Sequence, residues 1–264
     1  MLLEDKVAIV YGAGAIGGAV ARAFSREGAV VHLADHHDPS AKKVATDLRD
    51  VGAKFETAKV NALDKDAVEA FVDSVVAKSG RVDVSFCAVS THVAGGEQGL
   101  RLSELTYEDF ALPIIDYTKS QFLTANAAAK HMVKQGSGVI LMITAVPSHM
   151  PFPYTAGFGP AWAAVEALSR TLAAELGAYG VRTVYLHSAG SPDSGTESFA
   201  RNETKRAEFA KRKDEWDRLA STRNLLGRWP TLEQVGDMAA FMASDRAGVT
   251  TGTGININGG MING

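Results

Sequence analysis

Gly12, Gly14 and Gly17 stand at G-x-G-x-x-G spacing directly behind the apolar run Val7–Val10, and ahead of a helical pattern formed by Ile16, Ala19, Val20 and Phe24. In that setting the glycines can do chemistry with phosphate. One makes the tight turn, one lets the backbone approach a pyrophosphate, and one lets helix and strand pack closely. The helix N-terminus then presents unpaired N–H groups and the positive end of its dipole. Asp35 lies about twenty residues further on, where a carboxylate accepts hydrogen bonds from ribose hydroxyls and repels a 2′-phosphate, so NAD(H) is expected over NADP(H). His36 and His37 follow it, but adjacent side chains on an extended chain point to opposite sides. No His or Cys spacing reads as a metal-ligand pattern, and no metal is expected.

Strands and helices alternate around these residues. Apolar runs at 7–10, 29–34, 55–60, 82–89, 138–145, 181–186 and 254–258 read as strands. Helical patterns fall at about 40–51, from a cap at Asp64, at 107–134, 159–179 and 231–243. Pro113 should start or kink the helix at 107–134. A glycine-rich loop (Gly95, Gly96, Gly99) precedes it. Residues 196–220 are dense in charge and read as a solvated helical excursion. Parallel strands joined by crossover helices imply an α/β fold of one doubly wound sheet covered on both faces. With no repeat or linker, residues 1–264 are expected to form a single domain.

Composition narrows the classes of partner. The 264 residues are 46% hydrophobic and 22% charged, with a net charge of −3, so there is no basic footprint for nucleic acid. One cysteine, Cys87, fits a reducing compartment. No signal-like N-terminus is present, and the longest apolar runs, such as Val139–Ile143, are far shorter than a membrane span. The expectation is a cytoplasmic protein acting on a small molecule.

Four further stretches carry a family resemblance over nearly the whole chain. They are GRVDVSF (80–86), HMVKQGSGVILMIT (131–144), LSRTLAAELGAYGVR (168–182) and GRWPTLEQVGDMAAFMASDRAGVTTGTGININGG (227–260). Together with the glycine turn and Asp35 they resemble the short-chain dehydrogenases/reductases. The resemblance implies a Rossmann-type, seven-stranded parallel sheet in the order 3-2-1-4-5-6-7, a bound NAD(P), and a homodimer or homotetramer. It also implies cofactor contacts from Gly12, Gly14, Ile16, Gly17, Asp35, from Asn61 and Ala62 after the third strand, and from Ala88 and Val89 after the fourth.

Against that family the chemistry departs. The family moves protons with Asn, Ser and a Tyr-x-x-x-Lys pair, whose lysine lowers the tyrosine pKa. Those positions here are Tyr117, Ala145, Phe158 and Trp162, and no lysine occurs between Lys134 and Lys205. The glycine motif also differs, with Tyr11 in place of a threonine and a loop one residue shorter, and Cys87-Ala88-Val89-Ser90 replaces N-N-A-G. Three groups near the implied pocket can carry protons: Tyr117, Tyr154 and His149, the last being the residue type suited to acid–base work near pH 7. Thr144 and Ser148 could orient a carbonyl. Met150, Phe152, Phe158 and Trp162 make an apolar, aromatic pocket. The resulting expectation is an oxidoreductase on a small apolar carbonyl or alcohol with a non-standard proton donor. The alternatives are a nucleotide-binding pseudoenzyme or sensor, and a non-redox enzyme using the same pocket.

Overall fold

The computed structural model describes residues 1–89, 100–189 and 221–262, with 191, 214 and 218. The glycine-rich loop at 95–99 and nearly all of the charged 196–220 segment lie outside the described residues. Seven parallel strands form one sheet in the order β3-β2-β1-β4-β5-β6-β7, as the family resemblance implied. They are β1 (Val7–Tyr11), β2 (Val30–Asp35), β3 (Phe55–Lys59), β4 (Val84–Cys87), β5 (Gly138–Ala145), β6 (Val181–Ser188) and β7 (Thr253–Ile257).

The period of two along each buried strand divides its side chains between two cores. Ala8, Val10, Leu33, Phe86, Leu141 and Leu186 face one core. It is closed by Val20 and Phe24 of α1 (Ala15–Arg26), Leu48 of α2 (Asp38–Asp50) and Val235 and Ala239 of α6 (Leu232–Ala243). Val7, Ile9, Tyr11, Ile140, Met142 and Tyr185 face the other. There Val68, Val72 and Val75 of α3 (Lys65–Ser79), Ala128 and Met132 of α4 (Tyr107–Gln135), and Val165 and Leu172 of α5 (Phe158–Leu176) complete the layer. Asp64 caps α3 by accepting from Ala67 N, and Thr231 caps α6 by accepting from Gln234 N.

Several boundaries differ from the sequence reading. The fourth strand is shorter than 82–89, and at its start the Gln135 side chain takes both the amide and the carbonyl of Val82, at 2.9 Å each, so that residue bonds outside the sheet. The sixth strand runs past Leu186 because His187 and Ser188 keep their register with Thr144 and Ala145. Pro113 neither starts nor ends α4, which begins six residues earlier and continues through it.

Arg182 fastens the base of β6 to the α6–β7 connection. Its guanidinium donates to Thr250 O at 3.1 Å, Met242 O at 2.9 Å and Ser244 O at 3.0 Å, and burial holds its pKa below the ordinary arginine value. Arg182→Ala strands these three carbonyls, and the expected loss is about 2–4 kcal/mol of unfolding free energy. Urea denaturation followed by circular dichroism reads it. Arg182→Lys should recover only part, since one ammonium cannot reproduce the planar fork.

Candidate active site

The C-terminal edge of the sheet carries the glycine loop. Gly12, at the end of β1, has φ +89°, in the left-handed region that favours glycine, and its N–H donates to Ala34 O at 2.8 Å. A Cβ on Gly17 would sit 1.7 Å from Gly12 O, so the loop and the first turn of α1 are in direct backbone contact. A Cβ on Gly12 would meet Ala88 O at 3.0 Å and Val89 N at 3.2 Å. The loop is thus brought against Ala88 and Val89 as well. Gly14, the N-cap of α1, faces open space, with no side-chain cap and no acidic residue in the first turn. An open, uncapped helix N-terminus beside a backbone cradle is a surface a pyrophosphate fits.

Asp35 closes β2 and is 7% exposed. Its Oδ2 accepts from Ala13 N and its Oδ1 from His37 N, both at 2.5 Å, so the carboxylate holds the glycine loop to the end of β2. Each oxygen retains a lone pair for a further donor. Asn61, exposed, and Ala62, buried, follow β3 at the same edge, where Asn61 Oδ1 accepts from Leu63 N. Tyr11 turns its ring to the α3 side, edge-on to Phe71 at 5.9 Å, and its buried hydroxyl has no partner among the described residues. Burial pushes its pKa up.

The second half of the edge is aromatic. Tyr117 from α4 meets Phe158 and Trp162 from α5 edge-on, with ring centroids 5.8 and 6.3 Å apart, and Phe158 lies 5.5 Å from Trp162. The four-residue spacing puts Phe158 and Trp162 on one face of α5. Burial pushes the Tyr117 phenol up to about 12, against a smaller opposite pull from the Trp162 side chain. Ala145 ends β5. Thr144 is buried, with an Oγ that has no partner among the described residues. Phe152 and Met150 pack in a separate small cluster with Val146, Trp229 and Met261. Tyr154 is half-buried, and its backbone takes φ +64° in the left-handed region.

His149 does not stand free in its loop. Its Nε2 lies 2.5 Å from Glu166 Oε2, while Ser148 Oγ donates to Glu166 Oε1 at 2.6 Å and lies 3.1 Å from His187 Nε2. Glu166 and His187 escaped the sequence reading, although one signal was present. Glu166 lies four residues beyond Trp162 and eight beyond Phe158, on the helix face that those apolar side chains bury, and a charge on a buried face needs partners.

The comparisons with known proteins agree with this geometry. A family model described as enoyl-(acyl carrier protein) reductase matches residues 12–262. The 3-oxoacyl-(acyl-carrier-protein) reductase FabG of Thermotoga maritima is 28% identical over 263 residues, covering 99% of this chain and 100% of the relative. Tropinone reductase-like 2 of Erythroxylum coca is 30% identical, covering 98% and 90%. Among solved structures, a putative short-chain dehydrogenase/reductase from Burkholderia xenovorans superposes with a TM-score of 0.81 at 26% identity, covering 98% and 97%. A gluconate 5-dehydrogenase from Burkholderia cenocepacia, in complex with NADP and tartrate, has a TM-score of 0.81 at 23% identity, covering 98% and 96%. The chain belongs to the short-chain dehydrogenase/reductase family, whose members are NAD(P)-binding oxidoreductases acting on small molecules. No helix among the described residues is long and apolar enough to cross a membrane.

Proposed function

We propose that this protein is an NAD(H)-preferring reductase of small apolar carbonyl compounds in which Tyr117 supplies the proton. The observation that carries the reading is the cradle of Gly12, Gly14 and Gly17 beneath an open helix N-terminus, with Asp35 buried beside it. The dinucleotide supplies the hydride when bound. Gly14, Ile16 and Gly17 hold the pyrophosphate side through backbone N–H groups, and Gly12, its own N–H spent on Ala34 O, makes the turn that presents them. Ala88, Val89, Asn61 and Ala62 border the adenosine. The free lone pairs of Asp35 accept from the ribose hydroxyls, and its charge repels a 2′-phosphate. Phe158 and Trp162, at the family's tyrosine and lysine positions, have no proton to give as acids. They exclude water from the carbonyl, and Tyr117 beside them donates to its oxygen. His149, engaged by Glu166, and Tyr154, further along the loop, are the other proton carriers at this edge.

The assembly is a homodimer or homotetramer. Ile115 and Phe122, seven residues apart on α4, are 57% and 52% exposed, an apolar face suited to a second copy.

Calorimetry with NADH and NADPH tests the cofactor reading. NADH should bind more tightly by about 10–100-fold, the worth of charge-assisted hydrogen bonds to the ribose. Asp35→Ala should bring the two affinities together. The ratio is the informative quantity, since loosening Ala13 N weakens both nucleotides alike. Failure of both nucleotides to bind, or tighter binding of NADPH, overturns the reading. Consumption of NADH with a panel of apolar ketones and aldehydes tests the reaction.

A further inference from the structure

Three elements converge on one carboxylate. His149 closes the turn that follows β5, Glu166 lies in the third turn of α5, and His187 is the penultimate residue of β6. One ligand atom from each lies within 4.8 Å of the other two. We infer that His149, Glu166 and His187 form a binding site for a divalent first-row transition ion, with Zn²⁺ the best match.

The carboxylate is the first reason. Glu166 is 3% exposed, and among the described residues its carboxylate oxygens face two imidazole nitrogens, His149 Nε2 at 2.5 Å and His187 Nε2 at 3.7 Å. No lysine or arginine is ion-paired to this buried carboxylate among the described residues, and a divalent ion held by the carboxylate and the two imidazoles would balance its charge. The second reason lies behind His187. Its Nδ1 is 3.1 Å from the Asn256 side-chain oxygen, an acceptor that takes the Nδ1 proton and leaves the Nε2 lone pair directed toward Glu166 and Ser148. Metal-bound histidines are held by this arrangement, with the distal N–H on a carbonyl or carboxylate and the other nitrogen on the ion.

Donor chemistry selects the ion. Two imidazole nitrogens and one carboxylate oxygen suit zinc and its neighbours, whereas calcium and magnesium take oxygen ligands. Bond lengths of about 2.0–2.2 Å in a tetrahedral site put ligand atoms roughly 3.3–3.6 Å apart, and the three ligand atoms here lie within 4.8 Å of one another, so side-chain adjustment without backbone movement seats the ion. Ser148 Oγ donates to Glu166 Oε1 at 2.6 Å and orients the carboxylate. The His149 side chain is 39% exposed, which provides the entry path and leaves a fourth position open to water. The residues are distinct from the glycine cradle and from Tyr117, and the inference does not rest on the proposed reaction.

The test uses the full-length protein without an affinity tag, freed of metal by a chelator. Co²⁺, a spectroscopic stand-in for Zn²⁺, is titrated while visible d–d absorption is followed. Expected are bands that saturate at one equivalent, are abolished by one equivalent of Zn²⁺, and are untouched by Mg²⁺ or Ca²⁺. His149→Ala, at the solvent side, and Glu166→Gln, of equal volume, should each weaken binding at least about 100-fold, and Asn256→Ala about 10–100-fold. Circular dichroism confirms that each variant is folded. No stoichiometric binding to the wild type, or binding that survives both His149→Ala and Glu166→Gln in folded protein, overturns the site and leaves a proton-sharing network.

Discussion

Gly17→Ala is expected to abolish detectable NADH binding. The added methyl carbon would stand 1.7 Å from Gly12 O and 2.9 Å from Gly12 C, both backbone atoms that cannot rotate aside. The first turn of α1 must therefore withdraw from the loop, or the loop must open. Gly12 is also pinned on its other side, by its N–H on Ala34 O at 2.8 Å and by contact with Ala88. Overpacking of this kind costs about 1–3 kcal/mol or more when backbone has to move. Each 1.4 kcal/mol is a factor of ten, so a cost in that range weakens binding about 5–150-fold, and the larger backbone shift this contact demands takes it below detection. Gly14→Ala is the matched control for folding. Nothing lies within 4 Å of a Cβ there, and the thermal midpoint should stay near that of wild type, whereas Gly17→Ala lowers it. Calorimetry gives the affinity and scanning calorimetry the midpoint. A Gly17→Ala protein that binds NADH as wild type does would place the nucleotide elsewhere.

The parts of the molecule legible in the sequence are those whose physics is periodic. Val7–Tyr11 and Gly138–Ala145 are apolar because both sheet faces are covered, and the helices announce themselves by capping at Asp64 and Thr231. The glycine loop was legible in its place between β1 and α1, because the apolar run before it and the helical pattern after it are both periodic. The Glu166 cluster was not. Its members come from a turn, a helix and a strand separated by seventeen and twenty-one residues, and no linear spacing connects them. His149 is recognisable in the sequence as a loop residue with acid–base potential, whereas its partner Glu166 lies seventeen residues on, in a helix that nothing in the sequence connects to that loop. The end of β6 shows the same limit. His187 terminates the apolar run yet stays in the ladder, because register with Thr144 is set by the neighbouring strand.

The direction of catalysis should follow from the environment of Tyr117. A phenol raised to about 12 by burial remains protonated throughout the neutral range. It can give its proton to the alkoxide formed when a carbonyl is reduced, so the reduction rate should be flat from about pH 6 to 9. Alcohol oxidation needs the phenolate, whose fraction at pH 8 is only about 10⁻⁴ for a group titrating four units higher. Oxidation should accordingly be slow at pH 8 and climb close to tenfold per pH unit, with no plateau below pH 10. Trp162 is what stands beside the phenol instead of a cation. Trp162→Lys would introduce a positive charge at that position, and an opposite charge at such range lowers a pKa by about 1–3 units. Oxidation at pH 8 should then rise by about 10–1000-fold, with reduction changed little. Tyr117→Phe should reduce kcat for carbonyl reduction by about 10²–10⁴ and remove the pH slope of oxidation. Steady-state rates in both directions, followed at the NADH absorbance across pH 6–10, decide the matter. A plateau in oxidation near neutrality, retained in Tyr117→Phe, would move the proton transfer away from this phenol and onto the imidazole side of the pocket, where His149 stands.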